Sequence, residues 1–355
     1  MRKMIAALMA AILSASLVAC SAPATDETTA KAQADAETTT VADVADYGDF
    51  EMIVGHAQPQ GNPRFVSLEK FAKDVEERTN GHVKVTVYGN GQLGTEKEIL
   101  EQVVQGTIQG MRGGQFDFCP RLQMFCAPFM TQTRAQVTAL LQSDLAKKVC
   151  AEAEETSGTV IINLCDSGGY RQFSNNVRPI KNPDDLKGLK IRTNGMKAYD
   201  LTFQAMGAST VVIPYADLYM SLKTGVVDGQ DNPFGNVTSM KFYEVQKYFT
   251  AVNYALGPDP FYVNGEWWNS LPKEYQDIIS ACATEQGEYN DQLVDESEEK
   301  AKQVIIDSGA ELYVPTEEEL QQFIEAVQPV YQSMIEEGLC TQEELDEMWE
   351  IVNNV

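Results

Sequence analysis

The stretch that decides the fold runs from residue 50 to residue 87 and reads FEMIVGHAQPQGNPRFVSLEKFAKDVEERTNGHVKVTV. Residues 50–56 form a short, mainly apolar run that ends in Gly-His, which is typical of a strand. Residues 63–78 place apolar side chains at helical spacing, and Thr79-Asn80-Gly81 supplies a left-handed helix end. Valines alternate with polar residues over 83–87, as in a second strand. Strand, helix and strand in this order predict a βαβ unit.

The rest of the chain continues this alternation. We predict further helices at 95–104, 134–155, 196–206 and 215–223, and further strands at 107–111, 159–164, 189–192 and 210–213. From about residue 272 onward the pattern is mostly helical, with a short strand at 311–314. The simplest assembly is two α/β lobes on largely parallel sheets, joined near 165–170, with a helical tail returning across both.

Composition narrows the functional classes. The 355 residues include 52 acidic and 27 basic side chains, giving a formal charge of -25 and a pI near 4.4. A chain of this length holds about two domains. The acidic excess argues against nucleic acid as a partner and against electrostatic adhesion to anionic lipid, since both need clustered Lys and Arg. Only His56 and His82 could supply a histidine metal site or a catalytic relay, so we expect no metal and no cofactor.

The first residues have the pattern of an export signal. Two basic residues precede an uncharged apolar run, 4–18, which is shorter than the roughly 20 residues of a membrane span. Leu-Val-Ala-Cys at 17–20 resembles a bacterial lipobox, in which the cysteine is lipidated. We expect 1–19 to be a lipoprotein signal peptide and Cys20 the lipidation site; a plain signal peptide is the alternative. The protein would then be exported and lipid-anchored, in the periplasm or on the outer face of the cytoplasmic membrane.

Residues 20–47 are predicted to form a flexible tether. They are rich in Ala, Thr, Asp and Glu and carry almost no large apolar side chains. Such a segment cannot bury enough surface to offset the entropy of ordering it. A lipid anchor with this tether would hold the folded body near a membrane.

Six cysteines remain in the body of the chain, without a CxxC pair or a zinc-like spacing. Export would allow disulfides to form, and Cys119 with Cys126 is one candidate pair. Small buried apolar residues are the other interpretation, and the sequence leaves this choice open.

Four arginines lie in apolar or glycine-rich surroundings against the acidic background: Arg112, Arg121, Arg171 and Arg192. Arg192 ends a predicted strand, and ligands of open α/β sheets collect at the carboxyl ends of strands. A guanidinium presents a planar fork of donors that matches a carboxylate, so these residues are candidates for binding an organic anion. The alternative for each is an internal ion pair, because 52 acidic residues are available to make one.

The motifs of common enzyme classes are missing from the sequence. Gly113-Gly114 and Gly168-Gly169 lack the Lys-Ser/Thr or third glycine of phosphate-binding loops, so turns or hinges are the better interpretation. There is no Gly-x-Ser-x-Gly elbow and no HExxH. For Asp228, Asp231 and Glu244, a solvated or capping role is more usual than acid-base chemistry. We predict that the protein is not an enzyme.

Four segments resemble one family. They are 71–81 (FAKDVEERTNG), 91–94 (GQLG), 184–192 (DDLKGLKIR) and 228–233 (DGQDNP). Together and in this order they are similar to the solute-binding proteins of tripartite ATP-independent periplasmic (TRAP) transporters, over roughly residues 50–300. The resemblance implies an α/β, two-lobed periplasmic-binding-protein fold with a hinge, which closes over a small organic acid and delivers it to the TRAP membrane permease.

The resemblance also implies how the chain divides. A long helix, expected at 273–304, spans both lobes. We expect lobe I to comprise 48–168 and 257–296, and lobe II to comprise 169–256 and 297–355. The chain would cross between the lobes near the glycine pair that the sequence favours as a hinge.

The binding residues of the family are carried over one at a time. The arginine that clamps the carboxylate follows Lys-Gly-Leu-Lys-Ile, which makes it Arg192. A second arginine matches Arg171 in Tyr-Arg-Gln-Phe-Ser-Asn. The asparagine of the Asp-Gly-Gln-Asx-Asn-Pro loop matches Asn232, expected to hydrogen-bond the ligand or hold the arginine. His56 ends the first strand, where family members often offer a polar contact; a buried strand-end histidine is the alternative.

The segment 112–128 matches the family pattern poorly and is shorter than usual. In the family it shapes the distal pocket, so the ligand's identity is not carried over. Arg112 and Phe116 within it, with Tyr215 and Phe234 elsewhere, are candidate pocket residues, and a core role is the alternative for the aromatic ones. A uronate or other sugar acid, a dicarboxylate and an aromatic 2-oxo acid all stay open as ligands.

Two other functions also stay open. A lipoprotein hydrolase or isomerase acting on organic acids would need a nucleophile–base pair, which the two histidines do not supply in favourable contexts. A sensor subunit that presents its ligand to a membrane receptor would share the binding site and differ only in its partner.

Overall fold

The protein is represented by a computed structural model that describes residues 44–355. The predicted signal peptide 1–19, the lipidation site Cys20 and the tether as far as residue 43 lie outside the described residues. The described chain begins against the first lobe, where the Tyr275 hydroxyl donates to the carbonyl oxygen of Ala45 at 3.0 Å. The last residues of the predicted tether are thus packed on the folded body.

Eleven strands and twelve helices make up the described part of the chain. The strands are β1 (Phe50–Gly55), β2 (Val83–Tyr88), β3 (Gly110–Arg112), β4 (Thr159–Asp166), β5 (Arg171–Asn175), β6 (Lys190–Thr193), β7 (Ser209–Val212), β8 (Gly229–Asn232), β9 (Tyr248–Ala255), β10 (Pro258–Asn264) and β11 (Glu311–Tyr313). The helices are α1 (Pro63–Arg78), α2 (Glu96–Val104), α3 (Arg134–Leu141), α4 (Asp144–Ser157), α5 (Lys197–Ala205), α6 (Leu218–Lys223), α7 (Phe234–Ser239), α8 (Gly265–Ser270), α9 (Lys273–Asp307), α10 (Glu317–Ala326), α11 (Gln328–Glu336) and α12 (Gln342–Asn353).

The strands form two sheets, ordered β2-β1-β3-β10-β4 and β11-β9-β5-β8-β6-β7. Parallel pairs dominate one half of each sheet, but β10 runs antiparallel to β3 and β4, and β5 runs antiparallel to β8 and β9. The expectation of largely parallel sheets was therefore wrong, and both sheets are mixed. The strands that the sequence did not reveal lack an alternating pattern: β8 is four buried residues, mostly polar, and β10 contains two prolines.

A predicted single helix at 134–155 is two helices, α3 and α4. The chain leaves the helical conformation at Ser143, whose hydroxyl accepts the backbone N–H of Ala146 and caps α4. Serine favours such caps over helix interiors because its hydroxyl competes for backbone hydrogen bonds. The apolar spacing continues from α3 into α4, which is why the sequence pattern did not show the break at Ser143.

The long helix predicted at 273–304 is confirmed and extends over Lys273–Asp307. Its first half packs on α1 and β4, and its second half on α7 and β11. All strands of the first sheet fall within the residues assigned to lobe I, and all strands of the second within those of lobe II. The C-terminal helices contact both lobes, since α12 packs on α3 and α11 on α5.

Besides the long helix α9, two short segments carry the chain between the sheets, and they lie side by side. In the first, the carboxylate of Asp166 accepts the backbone N–H groups of Gly168 and Gly169 and pairs with Arg134. Both glycines have positive φ, 136° and 101°, which other residues rarely adopt. In the second, the carbonyl oxygen of Gly257 accepts the N–H of Ser167 at 3.0 Å.

All six cysteines of the described residues are unpaired. Cys119 and Cys126 are both buried, and Cys126 packs against the sulfur of Met196 at 3.7 Å. The interpretation as small buried apolar residues therefore describes these two side chains. No helix among residues 44–355 is long and apolar enough to cross a membrane.

Candidate ligand-binding site

A pocket of about 460 Å³, measured with its open mouth, lies between the two sheets. Lobe I lines it with residues that follow β1 and begin α1 and α2, and lobe II with residues at the carboxyl ends of β6 and β8 and the start of β5. Its polar side chains include Gln58, Arg64, Glu96, Arg171, Arg192 and Asn232. A wider recess of about 1140 Å³, measured with its open mouth, adjoins it and shares Glu96, Arg192 and Tyr215.

Arg192 reaches the cavity from the carboxyl end of β6, which lies between β7 and β8. The side chain is 2% exposed, and its Nε donates to the carbonyl oxygen of Ile213 at 2.8 Å. Among the described residues it has no carboxylate partner, so the two terminal nitrogens are left for a ligand. Burial lowers the pKa of Arg192 to about 10, which keeps it charged at neutral pH.

Arg171 lies at the start of β5 and is held rigidly. Its Nε contacts Asp231 at 2.5 Å, and its Nη2 donates to the Asp231 carbonyl oxygen at 2.7 Å. The hydroxyl of Tyr254 donates to the same carboxylate, and the guanidinium lies 4.6 Å from the centre of the Tyr199 ring. The sequence left two interpretations of Arg171 open, an internal ion pair or a ligand contact. Arg171 makes the ion pair, with Asp231, and it also lines the cavity.

Asn232 and Tyr215 complete the lobe II wall. Asn232 ends β8, beside β6, and its amide donates to the Oε1 of Gln230, which leaves the amide oxygen as an acceptor. Tyr215 follows β7, and its hydroxyl donates across the cavity to the Oε1 of Gln58 at 3.2 Å. The structure therefore brings together four of the predicted site residues.

Two of the polar candidates lie elsewhere. His56 is fully buried, and its Nδ1 accepts the backbone N–H of Gln58 at 3.2 Å. Burial, with the charges of Arg64 and Arg112, lowers the pKa of His56 to about 3. Arg112 is also fully buried, with its Nε 3.0 Å from the Asp259 carboxylate. Neither side chain lines the cavity.

The aromatic candidates Phe116 and Phe234 are core residues. Phe116 is 3% exposed and belongs to the large hydrophobic cluster that joins the first sheet to the C-terminal helices. Phe234 is 2% exposed and packs in the core of lobe II. Their contacts supply packing, and the structure does not bring them to the cavity.

Arg64 and Glu96 line the cavity and were missed by the sequence reasoning. Arg64 contacts Glu96 at 3.2 Å and Asp259 at 3.0 Å, and it donates to the carbonyl oxygen of Ser167 at 3.2 Å. Both residues lie in the first turn of a helix, behind the caps Asn62 and Thr95. Those caps were the available signal, because a helix that starts beside the carboxyl end of a strand turns its first residues toward the cleft.

The two lobes touch each other beside the first crossing, where Asn62 and Asn236 share a pocket with Gly168 and Gly169. The Asn62 amide donates to the Oδ1 of Asn236 at 3.1 Å and to the hydroxyl of Ser239 at 3.2 Å. Together with the Tyr215–Gln58 hydrogen bond, these contacts link residues of the two lobes in the described conformation. No group of three or more His, Cys, Asp or Glu side chains within residues 44–355 could hold a metal ion.

A polar cavity between two α/β lobes, with an open guanidinium near the end of a strand, is typical of a solute-binding protein of the periplasmic type. The profile of the bacterial extracellular solute-binding proteins, family 7, matches residues 54–338. The chain belongs to this family, the solute-binding proteins of TRAP transporters. It is a binding protein for transport and not an enzyme.

Two curated relatives and one solved structure illustrate the similarity. The 2,3-diketo-L-gulonate-binding periplasmic protein of Escherichia coli K12 is 29% identical over 73% of this chain and 79% of its own. The C4-dicarboxylate-binding periplasmic protein of Rhodobacter capsulatus is 30% identical over 79% of this chain and 85% of its own. A TRAP periplasmic solute-binding protein from Desulfovibrio salexigens, solved with orotic acid, has a TM-score of 0.81 at 30% identity, covering 86% of this chain and 99% of the other.

Proposed function

We propose that the protein captures a small organic acid through a carboxylate clamp at Arg192 and delivers it to the permease of a TRAP transporter. The observation that carries this proposal is the buried guanidinium of Arg192 at the cavity wall, which has no carboxylate partner within residues 44–355. Arg171 would assist with its charge, and Asn232 and Tyr215 with hydrogen bonds. The similar proteins named above are associated with 2,3-diketo-L-gulonate, C4-dicarboxylates and orotic acid, each of which carries a carboxylate.

Binding and closure are coupled in this proposal. The lobes would move about the two crossings near 166–171 and 255–258, with lobe boundaries at residues 168, 256 and 296. A carboxylate that enters the open cleft pairs with Arg192, and closure then removes water and strengthens the pair. The ligand favours closure only by binding the closed form better, as the cross-cleft contacts would allow.

The protein is of a periplasmic family, and we propose that it is also lipid-anchored at Cys20. The support is the lipobox-like Leu-Val-Ala-Cys at 17–20 that follows an apolar run. An anchored binding protein stays near its permease, which raises the local concentration of loaded protein there.

Substitution of Arg192 tests the clamp. Arg192→Lys and Arg192→Ala should each weaken binding of the preferred acid by about 100-fold or more, because a lysine cannot reproduce the planar fork. Isothermal titration calorimetry on an acid found by a thermal-shift screen gives the measurement.

Arg78→Lys is the matched control. Arg78 is an arginine of lobe I that is 40% exposed and pairs with Glu285 away from the cavity, so affinity should not change. Near-normal affinity of folded Arg192→Ala would contradict the proposed clamp.

A further inference from the structure

We infer that Asn62 is a retention latch: its side chain joins lobe I to lobe II while the ligand is held, and loss of this contact speeds ligand release. The inference rests on the proposed function, since it assumes that the ligand is held between the two lobes. Asn62 is 3% exposed and is not among the residues that line the cavity. Its effect on binding therefore has to act through other residues.

The Asn62 side chain is bonded on both sides. Its Oδ1 accepts the backbone N–H of Arg64 at 2.9 Å, which caps α1. Its Nδ2 donates to the Oδ1 of Asn236 at 3.1 Å and to the hydroxyl oxygen of Ser239 at 3.2 Å, both in α7 of lobe II. Because the oxygen and the nitrogen are both engaged, the orientation of the amide is fixed.

On the lobe II side, the acceptors of Asn62 are tied to the cavity wall. The Ser239 hydroxyl donates to the carbonyl oxygen of Gly235 at 2.9 Å, which leaves the lone pairs of its oxygen to accept from Asn62. Helix α7 begins two residues after Asn232, which ends β8 and lines the cavity. A ligand that holds Asn232 in place therefore also holds the acceptors of Asn62.

On the lobe I side, Asn62 is coupled to the cavity through Arg64. The cap fixes the first turn of α1, and Arg64 in that turn lines the cavity. The guanidinium of Arg64 also donates to the carbonyl oxygen of Ser167, in the first crossing, at 3.2 Å. Asn62 thus connects a cavity-lining residue of one lobe to a helix of the other, and it is a positioning residue and not a ligand contact.

The contact between Asn62 and α7 is sensitive to small motions. It lies beside Gly168 and Gly169 of the first crossing, about which we propose that the lobes move. A hydrogen bond is lost beyond about 3.5 Å, so a separation of about half an ångström breaks both bonds. We therefore expect these bonds in the ligand-bound conformation and not in the open, ligand-free one.

Loss of the latch should act on ligand release. Each neutral hydrogen bond changes an equilibrium constant by about fivefold, so the two bonds together account for about 5- to 30-fold in affinity. Because the bonds form only after the ligand has entered, the change should fall on the dissociation rate, and the association rate should stay within about twofold.

The variant Asn62→Ser tests the latch, because serine keeps the cap of α1 and is too short to reach α7. The probe is the tightest binder of the wild-type protein in a thermal-shift screen of organic acids that includes succinate, galactonate, galacturonate and orotate. Calorimetry should show an affinity about 5- to 30-fold below that of the wild type, and stopped-flow displacement should show dissociation faster by the same factor. The urea midpoint of the ligand-free protein should not change, whereas a merely structural role would lower it.

Asn182→Ser is the matched control. Asn182 also caps a helical turn, by accepting the backbone N–H of Asp184 at 3.0 Å, and it lies in lobe II outside the cavity lining. The same substitution at this position should leave the affinity and the dissociation rate unchanged.

Ser239→Ala approaches the latch from lobe II and leaves the cap intact. Loss of one acceptor should raise the dissociation rate about 2- to 5-fold, and this variant decides alone if Asn62→Ser does not fold. The double variant should release the ligand no faster than Asn62→Ser, since both changes remove the same contact.

An unchanged dissociation rate in folded Asn62→Ser, a lowered urea midpoint of the ligand-free variant, or additive effects in the double variant would overturn the latch. The proposed function would still stand if Arg192→Ala abolished binding of the same acid. If the wild-type protein bound no acid in the screen, the proposed function itself would be overturned.

Discussion

Arg192 holds a charge where the protein provides little to balance it. Desolvation disfavours the buried guanidinium, and the neighbouring charge of Arg171 adds to this effect. Asp231 offsets part of the cost from a distance, but it is already engaged by Arg171 and Tyr254. A ligand carboxylate would supply the missing partner, so the same desolvation that disfavours the empty site strengthens the pair once it forms.

His56 should make the fold sensitive to acid. Its pKa is lowered to about 3, so between pH 6.5 and 3 the unfolded chain takes up a proton that the folded protein does not. The contribution of His56 to stability is therefore lost as pH falls through this window. In His56→Asn, whose side-chain oxygen can accept the Gln58 N–H, the free energy of unfolding should fall less steeply from pH 6.5 to 4. Urea titrations of both proteins check this, and equal slopes would contradict it.

At the scale of single residues, the sequence predicted the side chains that a motif or a strand end marks. Arg192 and Asn232 are of this kind, since Asn232 ends β8 and Arg192 is the last residue but one of β6. The sequence did not reveal Arg64 and Glu96 as lining residues, because their exposure to the cavity depends on how the helices of lobe I face lobe II. That relation is set by packing between distant segments, which no local pattern records.

Among the elements, helices were the more predictable. The apolar period of α1 and α9 survives in the structure because one face of each is buried. Strands β8 and β10 were missed because they are buried along their whole length, without a solvent face to impose alternation. Both strands take part in the antiparallel pairs of the two sheets. The mixed topology could therefore not be predicted from the spacing of apolar residues.

Substitution of a glycine in the first crossing should destabilise the fold. Gly169 has φ of 101°, and an added Cβ would lie 3.2 Å from the Cγ1 of Val294 on α9. We expect Gly169→Ala to lower the free energy of unfolding by about 1–3 kcal/mol. Gly235→Ala in α7, where an added Cβ meets nothing within 4 Å, should be neutral or stabilising by up to about 1 kcal/mol. Denaturant unfolding measures both, and equal losses would refute the argument.

For the whole molecule, the contacts that close the cleft differ in kind from those that hold the two lobes together. Contacts such as Asn62 with Asn236 and Tyr215 with Gln58 close the cleft through single hydrogen bonds, each worth about 1 kcal/mol. The helix α9 and the C-terminal helices join the lobes through apolar packing instead. A few polar contacts between the lobes, combined with extensive apolar packing through the helices, suit a cleft that opens while its lobes stay attached.

Anchoring also belongs to this scale. Cys20→Ser should move the protein from the membrane fraction to the soluble fraction of cells and abolish labelling with a fatty acid, because the lipid would have no sulfur to join. Ligand affinity should be unchanged, since Cys20 precedes the described fold. Cys282→Ser, a change of a buried thiol in the body, serves as the control for labelling. Fatty acid attached to Cys20→Ser, or a soluble wild-type protein, would disprove the anchor.

The unpaired cysteines bear on the protein's chemical durability outside the cytoplasm. Burial raises the pKa of Cys126, Cys150 and Cys165 to about 12. With such a pKa, the reactive thiolate makes up on the order of one part in 100,000 at pH 7, against a few per cent for an ordinary thiol. A low thiolate fraction should slow attack by oxidants and disulfide exchange at these three sulfurs. We expect these three thiols to react more slowly with a thiol reagent in the folded protein than after unfolding.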